Sequence, residues 1–496
     1  MKLAEQFSSR WGIILASLGM AIGAGNLWRF PRLAGQYGGA FLILWIFFLL
    51  IWSIPLLLAE FSIGKKFKSG VIGSFAQFAG KPYTFMGFFI TICTLGIAFY
   101  YSIVTAWALR YFGFSVRDIF SDIPLKKHLA QDPNYLNNYW ASISSGDWIT
   151  VGLYICVVIL GAYLLAKGIQ KGLERANRIL IPALFVLLII VAAIALNMEN
   201  GLKGLEYMFA VDFKHFSNPV IWIEALTQSA WSTGAGWGLI MTISSYSSDK
   251  EDVTLNTFIG AFGNNTASLV SGIAILPAVF AISSSDAAAI SYLQSGNQAL
   301  TFTIIPMLFS NIPGGSILAS VFFLALFLAA FSSLLPMIEL FVRNLTDLNF
   351  TRRKSINRVI IFFIIFGFPS AWSLDFFSNQ DWVWGVGLIL SGLFILFAVV
   401  KHGYTKFKHN FIDQDSDFKV PSLYFKICMT FNIPLALLLI YWWMSRGYSD
   451  YPWFDLGGNW NVFDVYSNAS IVTQWALVLL LGVIANNFLY LKFVKK

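Results

Sequence analysis

The first apolar segment of the chain contains residues that a lipid-facing helix rarely carries. The stretch GMAIGAGNLWRFP (19–31) has three glycines within seven residues, followed by Asn26, Arg29 and Pro31. Glycine and proline weaken a helix, and within a bilayer each freed backbone group needs a partner other than lipid. Unpaired carbonyl oxygens can bind hard cations. The pattern therefore raises the question of a binding site inside a membrane span.

A second glycine-rich stretch, QSAWSTGAGWGLIMT (228–242), places Gly234, Gly236 and Gly238 at a comparable depth of the sixth apolar segment. Two interrupted segments five spans apart are expected from an inverted repeat of five helices, whose broken helices hold substrate and ions at the bilayer midplane. Close helix packing is the alternative, because small residues four apart occur in both stretches. The matched positions favour the break.

Side-chain oxygens that suit sodium occur in two other segments. AAFSS (329–333) and NNT (264–266) offer hydroxyl and amide oxygens, which can complete a site made from backbone carbonyls. Serines in a helix also bond back to their own carbonyls, so neither stretch alone identifies a site.

Ionisable residues inside the spans are few, and such residues mark pathways, gates or pairs. Arg29 and Asp381 both lie near the predicted extracellular ends of their spans, where they either pair across a vestibule or extend to the interface. Glu60 lies deep in the second span, where it either accepts N–H groups of an unwound backbone or is a protonated group bonded to another helix. Glu224 shares a helical face with Gln228 and Ser232, and we interpret it as an interhelical contact.

The composition indicates a membrane protein. Of 496 residues, 57% are hydrophobic and 12% charged, whereas soluble domains carry about 25% charged residues. The net charge of +8 is scattered between apolar runs, which argues against nucleic-acid binding. The three cysteines show no metal or disulfide spacing, the histidines fall in predicted loops, and no nucleophile–base pair suggests an enzyme. No cleavage site follows the first segment, which is therefore not interpreted as a signal peptide.

Twelve apolar runs are long enough to cross a bilayer. They are 11–36, 39–64, 86–112, 148–167, 178–197, 220–246, 254–282, 316–346, 356–372, 381–401, 423–444 and 471–492. Lysine and arginine concentrate after the even-numbered runs, which predicts that both termini are cytoplasmic and that 113–147 and 283–315 are extracellular. We expect one all-α membrane domain (1–496), made of five-helix repeats at 11–197 and 220–401 and two accessory helices within 423–492.

These motifs resemble the neurotransmitter:sodium symporter family, and the bacterial amino-acid transporters in particular, over nearly the whole chain. The first-span stretch is the most specific match, because the family carries G-x-x-x-G-x-G-N-x-x-R-F-P there. Further matches are PLLLAEFSIGK (55–65), AFYYSIVTAW (98–107), ALTFTIIPMLFSNIPGG (299–315) and LAAFSSLLPMIE (328–339). Family members have broken first and sixth helices.

The resemblance implies two sodium sites. The positions that match site one are Ala21, Asn26, Ser232 and Asn264, completed by the substrate carboxylate. The positions that match site two are Gly19, Ile22, Ala329, Ser332 and Ser333. Many relatives have Thr or Asp at the position of Ser332.

The resemblance also implies an α-amino acid substrate. Its carboxylate would meet the N–H groups of Ala24 and Gly25 and the hydroxyl of Tyr101, as expected for a helix N-terminus facing an anion. Gly23 stands where monoamine carriers place an aspartate, so it leaves room for that carboxylate. The side-chain pocket implied is apolar, which favours a hydrophobic or aromatic amino acid. Its lining is Met20, Ile97, Trp231, Gly234, Trp237 and Met337.

Gates and a chloride site carry over in part. Arg29 with Asp381 would form the extracellular gate, Tyr101 with Trp231 the aromatic lid, and Asp347 the acidic half of the cytoplasmic gate. The usual basic partner is replaced by Ala4, with only Lys2 nearby. The chloride positions of dependent relatives match Gln228, Ser232, Asn264 and Ser268, with Trp45 in place of a tyrosine. Either chloride binds in this altered site, which we favour, or another acid such as Glu224 supplies the negative charge.

The sequence thus predicts sodium-coupled uptake of a neutral amino acid by alternating access. A sensor or a channel on the same fold is the alternative, although a sensor would normally have a signalling domain. The oligomeric state and the number of ions per cycle do not follow from these patterns.

Overall fold

The computed structural model describes residues 5–445 and 449–494, and these are almost entirely helical. Within these described residues, ten continuous helices are long and apolar enough to cross a membrane. They are Gly39–Phe67, Lys81–Ile119, Trp148–Ala166, Ile169–Leu196, Val253–Ile282, Gly315–Asp347, Arg352–Trp372, Leu374–His402, Ser422–Ser445 and Asn468–Phe493. They coincide with the predicted second to fifth and seventh to twelfth spans.

The first and sixth spans are broken, which confirms the prediction. The first consists of Arg10–Ala21 and Ala24–Tyr37, bent by 63° at Ile22 and Gly23. The sixth consists of Pro219–Thr233 and Leu239–Ser244, separated by the glycine-rich segment. Neither half of a broken span is long enough to cross a bilayer alone.

Local sequence explains where several spans begin. Asn218 caps the sixth span by accepting from the Val220 N–H, and Pro219 occupies its first position. Ser9, Asp147 and Asp252 cap the first, fourth and seventh spans in the same way. These side chains accept N–H groups that the first turn of a helix leaves unpaired.

The long connections contain more helix than the sequence indicated. The third span continues to Ile119, seven residues beyond its predicted end, and Leu125–Gln131 and Tyr135–Ser144 are helices within 113–147. The 283–315 connection contains the helices Asp286–Leu293 and Ile305–Ser310. Both connections lie at the same end of the helix bundle and contribute to one cavity there.

The centre of the bundle is formed by the second, third, seventh, eighth and tenth spans packed around the two broken ones. In the third span 83% of the most apolar window is buried, against 33% in the fifth, eleventh and twelfth spans. The third and eighth spans therefore act as a scaffold, while the peripheral helices present apolar side chains outward.

Candidate functional site

The break in the first span frees backbone groups that find specific partners. The Ala24 N–H donates to the Tyr101 hydroxyl at 2.9 Å, and the Gly23 N–H donates to Asn26 Oδ1, also at 2.9 Å. Gly23 packs against the third and eighth spans, since a Cβ there would lie 2.6 Å from Tyr101 Oη and 2.9 Å from Ser333 Oγ. A Cβ on Gly25 would meet nothing within 4 Å. The restarting helix thus presents its N-terminus to open space.

The break in the sixth span is held by Glu60. Its carboxylate accepts the Gly236 N–H at 2.5 Å and the Gly238 N–H at 2.9 Å. Gly234, Gly236 and Gly238 all have positive φ, between 74° and 90°, which glycine adopts without strain. Of the two interpretations of Glu60, the structure supports the one in which it accepts N–H groups from an unwound backbone.

The residues predicted for sodium site two converge on one point. Ser333 Oγ lies 3.0 Å from the Gly19 carbonyl oxygen and 3.1 Å from that of Ile22. Ser332 Oγ lies 2.9 Å from the Ala329 carbonyl oxygen and 3.4 Å from that of Ile22. Both hydroxyls are buried. Three carbonyls and two hydroxyls in one place form a set of hard oxygen donors that suits sodium.

The residues predicted for site one also lie together. One end of the Asn264 amide is 3.0 Å from the carbonyl oxygens of Ala21 and Ser232, and its other end is 3.0 Å from Ser232 Oγ. With Oδ1 at the first end, three oxygens face one another, which a cation between them would stabilise. Asn26 contributes its amide nitrogen, which donates to Asn264 Oδ1 and Ser268 Oγ at 2.8 Å. Its own oxygen accepts from Gly23, which differs from the role that the resemblance implied.

The positions matched to chloride contain unpaired donors. Both amide atoms of Gln228 and the indole nitrogen of Trp45 are buried, and no group in the described part of the chain is hydrogen-bonded to them. Ser268 Oγ accepts from Asn26, and Ser232 contacts Asn264. Buried polar atoms without partners indicate an absent water or ion.

A cavity of about 540 Å³ extends from the break of the first span to the connections 113–147 and 283–315. Seven residues predicted to bind substrate line it: Met20, Gly25, Tyr101, Trp231, Gly234, Trp237 and Met337. Trp231 and Trp237 meet edge to face, with 5.3 Å between ring centroids. Ala24 and Ile97 are fully buried and do not line the cavity, although the Ala24 N–H is bound by Tyr101. The inner part of the cavity is therefore largely aromatic and thioether in character.

The mouth of the cavity contains a different ion pair from the one predicted. Arg29 Nη2 lies 2.8 Å from both Glu224 Oε2 and Thr227 Oγ1, and Arg32 lies 3.7 Å from the same carboxylate. Asp381 also lines the cavity, but it makes no ion pair with Arg29 within 4 Å. Glu224 reaches Arg29 because it lies one turn before Gln228 on the cavity face of the sixth span. In this conformation it joins the two broken helices.

Replacing Glu224 with glutamine is expected to lower the melting temperature more than replacing Asp381 with asparagine. The first change leaves two arginines without their carboxylate in a partly exposed site, at a cost of about 1–2 kcal/mol. Asp381→Asn should cost less, about 0.5 kcal/mol, because Asp381 lies beside Tyr100 and near Arg29 but forms no ion pair with Arg29 within 4 Å. Thermal unfolding of the detergent-purified variants measures both effects. Equal shifts would contradict the assignment of Glu224 as the partner of Arg29.

At the opposite end, Asp347 is held by neighbours that the sequence did not suggest. Its Oδ2 accepts the Gly70 N–H at 2.6 Å, and Oδ1 lies 3.6 Å from Arg343, one turn earlier on the same helix. Lys2 and Ala4, the N-terminal positions considered for its partner, lie outside the described residues.

A second acidic group closes the same end. Glu339 accepts from the Tyr246 hydroxyl at 2.6 Å and pairs with Arg352 at 2.6 Å. The only indication of this network in the sequence was an ionisable residue inside the eighth span. In the described part of the chain, no group of three or more His, Cys, Asp or Glu side chains could hold a metal.

Comparison with known proteins agrees with this geometry. The chain is 33% identical over 373 residues to an uncharacterized sodium-dependent transporter of Methanocaldococcus jannaschii. The matched region covers 73% of this chain and 74% of that protein. It is 28% identical over 293 residues to the sodium-dependent neutral amino acid transporter B(0)AT2 of Pongo abelii, and this match covers 53% of this chain and 40% of that protein.

The fold also matches a solved structure, the crystal structure of MhsT in complex with L-phenylalanine. The TM-score is 0.75 with 27% sequence identity, over 88% of this chain and 99% of that one. A model of the sodium:neurotransmitter symporter family matches residues 4–124 and 131–496. With its two broken spans and the oxygen clusters beside them, this chain belongs to the sodium:neurotransmitter symporter family.

Proposed function

We propose that this protein is a symporter that couples sodium entry to the uptake of a neutral amino acid with an apolar or aromatic side chain. The observation that carries the proposal is the position of the first-span break. Gly19, Ala21 and Ile22 direct carbonyl oxygens into the two oxygen clusters, while the restarting helix faces the cavity at Gly25. Sodium and a carboxylate would bind at opposite poles of one short backbone segment.

The cavity supports the choice of substrate class. A carboxylate at the helix N-terminus would place the side chain of an α-amino acid among Met20, Trp231, Trp237 and Met337. No carboxylate or basic group comes from these four residues, so a charged side chain would lack a partner there. The phenylalanine bound to MhsT is in keeping with this choice.

The orientation of the chain in the membrane sets the direction of transport. The positive charges after the even-numbered spans favour cytoplasmic termini, so the cavity would open to the outside. Each sodium ion that enters gains about 2.3 kcal/mol per 100 mV of membrane potential. The substrate carboxylate would complete the coordination of sodium in site one, which couples the two without covalent chemistry.

Uptake into proteoliposomes tests the proposal. Purified protein is reconstituted and offered a panel of labelled amino acids, with and without an inward sodium gradient. We expect sodium-driven accumulation of a neutral apolar amino acid such as phenylalanine, and none of lysine or glutamate. Sodium-dependent binding without accumulation would favour a sensor, and sodium flux without any amino acid would favour a channel.

Chloride is the second ion that we propose. The support is the unpaired amide NH₂ group of Gln228 and the unpaired Trp45 indole N–H at the matched positions. If chloride binds there, replacing it with gluconate should reduce uptake about tenfold, because the buried donors lose their partner. Unchanged uptake in gluconate would mean that an acid such as Glu224 supplies the charge instead.

A further inference from the structure

Asn177 is a buried polar residue outside the two sodium sites. It lies in the fifth span, is completely buried, and neither end of its amide has a hydrogen-bond partner among the described residues. Leaving a buried polar group unsatisfied costs about 1–3 kcal/mol, and this side chain has two such atoms. A partner must therefore be available to Asn177, either throughout the transport cycle or in one of its states.

The amide packs against Gly19, a residue of sodium site two. It occupies the space where residue 19 would otherwise have a side chain, since a Cβ on Gly19 would stand 2.3 Å from Asn177 Oδ1. The carbonyl of the same Gly19 belongs to the oxygen cluster with Ser333. A small residue at position 19 thus brings an unpaired amide oxygen up to the backbone that binds the ion.

A carboxylate lies on the same face of the fifth span. Glu174 precedes Asn177 by three residues, is 2% exposed, and packs against Gly12 of the first span. It accepts from the Ser8 N–H at 2.8 Å and pairs with Arg178, a side chain that is 48% exposed. The surface between the first and fifth spans therefore runs from site two, past an amide oxygen, to a carboxylate beside solvent.

We propose that the Asn177 amide oxygen binds the sodium ion of site two as it leaves toward the cytoplasm. This inference rests on the proposed function. An amide oxygen can replace a carbonyl of the site while the ion regains water, so the ion is not released from five oxygen ligands in a single step. The amide nitrogen then donates to a water of the returning hydration shell, which would satisfy both unpaired atoms.

The test separates sodium release from the rest of the cycle. Wild type, Asn177→Leu and Asn177→Ser are reconstituted, and the labelled amino acid that the wild type transports is followed in two assays. Net uptake into sodium-free vesicles requires sodium to leave at the inner face. Exchange of labelled for unlabelled substrate, in vesicles preloaded with sodium and unlabelled substrate, does not require sodium to leave at the inner face. Asn197→Leu is the control, because Asn197 lies exposed at the other end of the same span.

Asn177→Leu should slow net uptake about tenfold, the effect of one lost polar contact, and change exchange less than about twofold. Asn177→Ser keeps an oxygen and should retain net uptake within about threefold of wild type. If Asn177→Leu slows both assays equally or neither, the inference fails while the proposed function stands. If the wild type shows no sodium-driven accumulation, the proposed function fails and this inference fails with it.

Discussion

Replacing Gly23 with alanine is expected to reduce sodium-dependent uptake strongly. The added Cβ would lie 2.6 Å from Tyr101 Oη and 2.9 Å from Ser333 Oγ, distances that real Cβ atoms do not show. Tyr101 binds the Ala24 N–H, and Ser333 contacts the carbonyls of site two, so one methyl group displaces a partner in each site. Overpacking costs about 1–3 kcal/mol, which is roughly a ten- to hundredfold loss of affinity.

Substrate and sodium dependence of uptake measure this effect. Both half-saturating concentrations should rise in Gly23→Ala. Gly152→Ala is the matched control, because a Cβ at Gly152 in the fourth span meets nothing within 4 Å and should leave uptake unchanged. Wild-type dependence on both sodium and substrate in Gly23→Ala would show that Gly23 does not hold the two sites together.

Replacing Glu60 with glutamine should disrupt the sixth-span break. Both carboxylate oxygens accept backbone N–H groups, from Gly236 and Gly238. Glutamine has one acceptor oxygen, so one N–H would face an amide NH₂ group inside the protein. A buried unsatisfied donor costs about 1–3 kcal/mol, and we expect a lower melting temperature and at least a tenfold loss of uptake. The loss of uptake follows because the loosened backbone carries Trp231 and Trp237.

Melting temperature and uptake are compared for Glu60→Gln and for Glu199→Gln, a control at an exposed glutamate. The control should match wild type in both measurements. A Glu60→Gln protein with wild-type stability would mean that the two N–H groups find other acceptors, and that the carboxylate does not hold the break.

Much of the architecture could be predicted because each part has a local cause. The twelve spans follow from length and apolarity, and the broken pair follows from two clusters of glycine at matched depth. For Glu60 the acceptor role was one of two interpretations, because a carboxylate at that depth requires partners and either unwound backbone or another helix can provide them.

The ion pairs could not be predicted in the same way. Arg29 was matched with Asp381, yet the structure joins it to Glu224. For Asp347 the sequence left the basic partner open, and among the described residues it contacts Arg343 and the Gly70 N–H. In both cases several charged side chains lie within reach, and a choice among them depends on helix rotation and on the state of the transport cycle. Ile97 was assigned to the pocket, but it is fully buried and does not line the cavity, because the rotation of the third span also decides which of its side chains face the cavity.

By itself, the sequence determined that this chain is a bundle of membrane helices with two interrupted spans, because apolar length and glycine clusters act locally on the backbone. Only the tertiary structure decided which groups meet at the interruptions. Ser333 meets Gly19 across 314 positions of sequence, and Asn264 meets Asn26 across 238. Residues so far apart in sequence meet because the helices pack against one another. That packing depends on contacts from every helix, so no single stretch of sequence determines it. The unpaired amide of Asn177 beside Gly19 likewise became visible only when the first and fifth spans were packed together.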